Sequence, residues 1–395
     1  MRKRKFLALA VCAILCAGAF CAFPVSAARA ATESSGIVSD PAAELAAFVT
    51  ACPKREAGTE GERAAAEYLA ARYLEMDYAP YEAGEYIRPF SLRGVDSRNV
   101  IAFKPAAEGG ENAPLVVLGA HMDNAAKDMP EGYQGAYDNG TGVATLLAVA
   151  QTLREDRLPF DVIFVHYGAE ELGLYGSQVF LENLLEKGKE PLFAVNFDVV
   201  GGGKNLYLYT DEVASSYDAY IRRIASAAGA KLADNPANKK IIVSGIGKFP
   251  YSHVGMMSDN SVYLARDIPV AAFFSYDWES SDLGLTEGAG DKIMHTPADD
   301  LGHLREGFAE QMSDAARTVT ALLRDEDFLA EMTKIRKKDY SALLSRGLSW
   351  GLTCGIFAIG VLFVLLKLFS LRKKPPEAPA NGDPEQKIRV FEDFE

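Results

Sequence analysis

Six short apolar runs, rich in β-branched and aromatic residues, recur through the middle of this chain: Asn99–Phe103, Leu115–Ala120, Val162–His166, Phe193–Phe197, Leu206–Tyr209 and Val270–Phe274. Between and after them lie stretches of helical character, at Thr141–Leu153, Gln178–Glu186, Ala214–Ala228 and Leu304–Leu323. Strands that are apolar at nearly every position must be covered on both faces, and alternation with helices supplies the cover. The pattern predicts βαβ units and an α/β fold, a three-layer α/β/α sandwich around a mostly parallel sheet. Two helices precede it. Ser39-Asp40-Pro41 reads as a cap, with proline in the first turn of a helix running to about Ala51, and Glu60–Met76 reads as the second. No internal repeat and no Gly/Pro-rich linker divides residues 35–330, which predicts one domain there.

The two ends are different in kind. Met1–Lys5 is basic, Phe6–Phe23 is apolar and uncharged, and small-residue sites follow at Ala27 and Ala30. That is the layout of a secretory signal peptide over residues 1–30, with an uncleaved anchor as the alternative. Near the other end, Gly347–Leu366 runs for about 20 residues without a charge, enough to cross a bilayer as a helix. Trp350 suits one interface, and Lys367, Arg372, Lys373 and Lys374 suit the other. The expected organisation is therefore a domain over 35–330, a basic juxtamembrane stalk over 331–346, a transmembrane helix over 347–371 and a disordered tail over 372–395. The signal peptide sets the orientation: domain outside the cytoplasm, tail inside, the whole a single-pass protein of the cell membrane.

Composition adds exclusions. A formal charge of −13 argues against a nucleic-acid partner, which requires a basic face. Hydrophobic residues at 49% and charged residues at 24% are ordinary for a globular chain. Of five cysteines, only Cys52 and Cys354 lie beyond the signal peptide, and Cys354 falls in the membrane run, so no intrachain disulfide is expected.

Chemistry gathers where the apolar runs stop. His121 ends one run, followed two residues later by Asp123; Glu170-Glu171 follows another, and Asp198 ends a third. Asp138 sits in the turn Tyr137-Asp138-Asn139-Gly140-Thr141-Gly142, and His295 lies far downstream in Met294-His295-Thr296-Pro297. Strand ends of an α/β sheet are where ligand sites form. Two imidazoles and four carboxylates suit a pair of divalent cations, zinc first. Asp138 could bridge two ions, although an Asp-Asn-Gly turn is by itself more often only a helix cap. Asp123 is the natural partner for the second nitrogen of His121. Side chains alternate at a strand end, so Glu170 and Glu171 cannot share one task. The economical division is one ligand and one general base.

In this order, GAHMD, AYDNGTG, AEELGLYGS, NFDVVG and HTPADD resemble the secreted and membrane-bound dinuclear zinc aminopeptidases, relatives of glutamate carboxypeptidase and glutaminyl cyclase. The resemblance runs from about Arg55 to Asp300. It implies a phosphorylase/hydrolase-like fold and two Zn2+ per chain. One would lie on His121 and Asp198, the other on Glu171 and His295, with Asp138 bridging. It further implies that Glu170 is the general base, that Asp123 orients His121, and that a cis peptide follows Asp138. The implied substrates are peptides with a free N-terminus.

Two departures stand out. Ser258-Asp259-Asn260 replaces the family's frequent Ser-Asp-His, and Met294 replaces a frequent aromatic before the last histidine, which passes carbonyl polarisation to the metals or to a donor such as Tyr251. His166 and His303 match no ligand position and read as a strand residue and a surface residue; His253 reads as a loop residue. A single-zinc glutaminyl cyclase is the alternative enzyme, with His121 counting against it. A metal-free adhesion or receptor domain on the same scaffold is the non-enzymatic alternative, and it predicts lost ligands. The loop aromatics Tyr133, Phe249, Tyr251, Tyr276 and Trp278 hint at an apolar first-residue pocket, although loop aromatics are as often packing.

Overall fold

A computed structural model describes residues 39–82, 84–210, 216–234, 240–243, 247–250, 258–276 and 293–335. The expected signal peptide and membrane helix lie outside these residues, as do Tyr251, His253 and Trp278. Among the described residues no helix is long and apolar enough to cross a membrane.

The chain opens with helix α1 (Pro41–Ala51), where the Asp40 carboxylate accepts the amides of Ala42 and Ala43 and Pro41 starts the first turn. Helix α2 (Glu60–Glu75) starts from Thr59, whose hydroxyl accepts the amide of Glu62. Strands β1 (Ala79–Pro80), β2 (Ile87–Leu92), β3 (Val95–Lys104) and β4 (Leu115–His121) follow. Then come helix α3 (Thr141–Leu153), β5 (Asp161–Tyr167), helix α4 (Tyr175–Glu186), β6 (Phe193–Phe197), β7 (Asn205–Tyr209) and helix α5 (Ser216–Ala227). A small hairpin, β8 (Lys240–Val243) and β9 (Gly247–Pro250), precedes the short helix α6 (Asn260–Leu264), β10 (Val270–Tyr276) and helix α7 (Phe308–Arg324).

The main sheet has the order β1-β3-β5-β4-β6-β10-β7, with β2 also on β3. Its centre is parallel: β5, β4, β6 and β10 run together. Its margins are antiparallel, at β1, β2 and β3 on one side and β7 on the other. The sheet is thus mixed, and the expectation of a mostly parallel sheet is corrected. The reason is local: Arg93 and Gly94 both adopt positive φ in a two-residue turn that folds β2 directly back on β3. A parallel pair would have needed a crossover.

Strand side chains alternate into two cores. Val116, Leu118, Val162, Phe164, Val195 and Phe197 face one core with Leu45, Leu146 and Val319 of α1, α3 and α7. Val117, Ile163, Val165 and Ala194 face the other with Phe180, Leu181 and Tyr263 of α4 and α6. Met332 and Ile335 are still buried in the first core. Burying one such side chain stabilises by roughly 1.5–3 kcal/mol.

This topology positions the site. The chain passes from β4 through α3 to β5 on one side, then through α4 to β6 on the other side of β4. Because α3 and α4 cover opposite faces, the strand order reverses at β4, and the C-terminal end of such a strand is where ligand sites form.

Candidate metal centre

His121 is the last residue of β4, and Asp198 follows the last residue of β6. The strands pair in parallel with Gly119 opposite Asn196, a register that carries on to bring His121 level with Asp198. His121 Nε2 lies 3.4 Å from Asp198 Oδ1 and 3.3 Å from Asp138 Oδ1. The other oxygen of Asp138 faces the second group, 3.0 Å from His295 Nε2, and that nitrogen is 3.1 Å from Glu171 Oε2. Two clusters of possible ligands result, His121–Asp138–Asp198 and Asp138–Glu171–His295, each with its donor atoms within 4.8 Å of one another. Asp138 belongs to both and offers a different oxygen to each.

The electrostatics are those of a site built for positive charge. Burial alone would lower the His121 pKa, but Glu170, Asp123, Asp138 and Asp198 raise it well above the usual imidazole range. Asp138 and Glu171 push His295 up to about 11 against the opposing effect of burial. Burial would raise Asp138, yet the two imidazoles hold it well below the usual carboxylate range. Burial pushes Glu170 well above that range, with His121 opposing and Asp259, Asp198 and Glu171 reinforcing. Glu171 Oε1 and Asp198 Oδ1 are buried and make no hydrogen bond. Buried acceptors without donors cost about 1–3 kcal/mol each, and divalent cations would satisfy them. The residues present therefore fit zinc, by donor type and by unmet charge.

Each segment that carries one of these groups is held by a side chain from a neighbouring segment. The Asp123 carboxylate accepts the amides of Glu170 (3.1 Å) and Glu171 (3.2 Å), tying the end of β5 to the end of β4. His121 Nδ1 is 3.7 Å from that carboxylate and 3.2 Å from the Asp123 carbonyl, so Asp123 faces the imidazole through its backbone as well. Asn139 donates to the Phe197 carbonyl (2.9 Å) and accepts the amides of Gly142 (3.0 Å) and Val199 (3.1 Å). Gly142 is required here, since a Cβ would stand 2.3 Å from Asn139 Oδ1 and 2.4 Å from the Phe197 carbonyl. The peptide bond between Asp138 and Asn139 is cis, in line with the resemblance. Ala169, Val199 and His295, each at or beside a site residue, hold positive φ of 54°, 44° and 56°. Such non-glycine conformations cost on the order of 1–3 kcal/mol, and they concentrate at functional sites.

Sequence comparison agrees with this geometry. The pattern of peptidase family M28 is matched over residues 99–320, more than half of the chain. The chain belongs to peptidase family M28. As an M28 protein it is similar to leupeptin-inactivating enzyme 1 of Streptomyces exfoliatus, at 27% identity over 66% of this chain and 55% of that one. It is also similar to aminopeptidase YwaD of Bacillus subtilis, at 27% identity over 63% and 49%. A probable leucine aminopeptidase of Arthroderma otae is 32% identical over 29% of this chain and 34% of its own. The M28 chain thus spans from about a third to just over half of these relatives. Its fold is shared with a zinc aminopeptidase from Bacillus subtilis (TM-score 0.54, 18% identity, 72% and 95% covered). It is equally shared with the glutaminyl cyclase of Porphyromonas gingivalis (TM-score 0.52, 21% identity, 74% and 98% covered).

Three residues of this M28 chain bear on the site beyond the ligands and the base; Asn139 and Asp299 lie in AYDNGTG and HTPADD, which gave them no role of their own. Arg55 is fully buried and donates to the carbonyls of Met122 (2.7 Å), Gln134 (2.6 Å) and Gly135 (2.9 Å), joining the segments after His121 and before Asp138. Asp299 holds the amides of Tyr137 and Asp138, and Asn139 spans to β6. Tyr133, read as a pocket or a packing residue, is fully buried and belongs with packing. Burial drives His166 down to about 3, and its Nε2 meets the Tyr73 hydroxyl at 3.0 Å in the core. His303 is exposed and bonds only locally, to Asp300.

Proposed function

We propose that the chain is a dinuclear zinc aminopeptidase that releases the N-terminal residue of peptides, working outside the cytoplasm and tethered by its C-terminal segment. The observation that carries this reading is Asp138, with one carboxylate oxygen toward each of two ligand groups. His121, Asp138 and Asp198 would hold one zinc, and Asp138, Glu171 and His295 the other. When bound, zinc supplies Lewis acidity that makes water a better nucleophile at neutral pH and polarises the scissile carbonyl.

Glu170 is the base. Its segment is held against Asp123, and a half-buried carboxylate beside the two ligand groups is placed to accept a proton. It takes a proton from the attacking water and passes it to the leaving amine as the C–N bond breaks and a C–O bond forms. Asp123 holds both amides of the Glu170-Glu171 pair, which fixes the base relative to its neighbour. The surplus of carboxylates favours a substrate end that carries a free, protonated amine.

The domain order proposed is signal peptide 1–30, catalytic domain 35–330, stalk 331–346, membrane helix 347–371 and cytoplasmic tail 372–395. The test is to purify the full-length chain in detergent, count zinc and compare free with N-acetylated peptides. Two zinc ions and cleavage of free peptides alone are expected. A zinc-free chain, cleavage of acetylated peptides, or conversion of N-terminal glutamine to pyroglutamate would overturn the reading. Alkaline extraction of cell membranes should leave the protein in the pellet; release into the supernatant would remove the tether.

A further inference from the structure

We infer that Asp299 is the latch that assembles the half of the site made by Asp138, Glu171 and His295. This rests on the two-zinc reading above and assigns a positioning residue to one of the two metals.

The argument is geometric. His295 is not on a strand. It rides on a compact turn in which the Thr296 amide and hydroxyl both donate to the Ile293 carbonyl, at 3.0 and 2.7 Å, and the Asp299 amide donates to the Thr296 carbonyl at 3.0 Å. That turn meets the Asp138 segment through Asp299. Its Oδ1 accepts the Tyr137 amide at 2.6 Å, its Oδ2 accepts the Asp138 amide at 3.1 Å, and its carbonyl accepts the Ala136 amide at 3.4 Å. One more bond completes the seam, from the Leu301 amide to Gln134 Oε1 at 2.8 Å. Asp299 is fully buried while the His295 side chain is 49% exposed. The imidazole meets the Asp138 and Glu171 carboxylates, and the seam sets the turn that carries it against the Asp138 segment. In the other group only Asp138 depends on this device, because β4 and β6 already set His121 beside Asp198.

Both oxygens of Asp299 must accept. Asp299→Asn keeps the size but turns one acceptor into an NH2 that faces a backbone amide, so one of the two bonds is lost. The expected result is selective. On the full-length chain, stripped and then titrated with zinc against a chromogenic chelator, the zinc held by Glu171 and His295 weakens by roughly tenfold or more, as loss of outer support around a ligand does, and the other, which shares only Asp138 with it, weakens by less. Cobalt substitution should show the same split, with one of two absorption components lost. Asp300→Asn is the control, since its carboxylate meets only His303 and the amides of Gly302 and His303; both zinc affinities should stay. Should Asp299→Asn fail to fold, Gln134→Leu removes the Leu301 bond alone and should weaken the same zinc by a smaller factor. A general loss of stability would lower the melting temperature without changing the ratio of the two affinities. If wild type holds two zinc ions and both weaken equally, or neither does, the latch is wrong. If wild type holds fewer than two, the two-zinc reading fails and the latch with it.

Discussion

His121 and Asp198 stand at the ends of neighbouring parallel strands, whereas His295 stands on a turn far along the chain. The His121 side chain is 2% exposed and the His295 side chain 49% exposed. In the first group, the hydrogen-bond register of the sheet does the positioning, and the groups arrive in place when the strands pair. In the second, side chains such as Asp123 and Asp299 must capture the backbone amides of other segments. One half of the site inherits its rigidity from the core, and the other is assembled by individual polar contacts. The halves should therefore fail differently.

The largest effect expected is chemical and belongs to neither half. Glu170→Gln should keep both zinc ions and lose about 10³-fold in kcat, the scale of general-base catalysis; turnover near wild type would show that the base is another group. Next, Asn139→Ala attacks the bonds that tie the Asp138 turn to β6. It leaves the Gly142 and Val199 amides and the Phe197 carbonyl without partners in a buried place. A loss of roughly 3 kcal/mol is expected in denaturant unfolding; a loss below 1 kcal/mol would show that the strand end holds itself.

Acid should act through the core beneath the strand-held half. His166 has a folded pKa of about 3, far below its unfolded value, so the unfolded chain binds the extra proton between these limits. Stability from this group is present above the unfolded pKa and is lost as pH falls toward 3. The margin of wild type over His166→Gln should therefore shrink by roughly 2 kcal/mol from pH 7 to pH 5. An unchanged margin would mean that His166 is protonated in both states. The smallest effect compares the halves directly. His121→Ala strands buried carboxylates and should cost about 2 kcal/mol in the apo protein, while His295→Ala, half exposed, should cost no more than about 0.5. Equal costs in melting experiments would erase the distinction.

Much of the strand-held half was legible in sequence for the same physical reason that it is robust. Apolar runs of strand length, ended by His121 and Asp198, announce both the strand and the place where it stops. Helix α3 coincides with its expected span because the Gly-rich turn and the apolar run bound it on both sides. Helix α1 began where Asp40-Pro41 said it should. The antiparallel edge was not anticipated. Its strand β2 is half-exposed and holds Pro89, so it lacks the continuous apolar signal of the centre. The contacts that position the second half were hidden for another reason. Asn139 and Asp299 lie inside quoted motifs, but these two and Arg55 reach backbone groups distant in sequence, and no local pattern encodes which amide a buried carboxylate will reach. His295 was singled out by residue type, and its place beside Glu171 came from the resemblance rather than from periodicity.

The bond between Asp299 and the Tyr137 amide joins positions 162 residues apart. A chain made from its N-terminus presents β4, β5 and β6 long before residue 299 exists. The seam around the His295 turn then closes only after β4, β5 and β6 have been made, and α7, whose Val319 completes the first core, follows it.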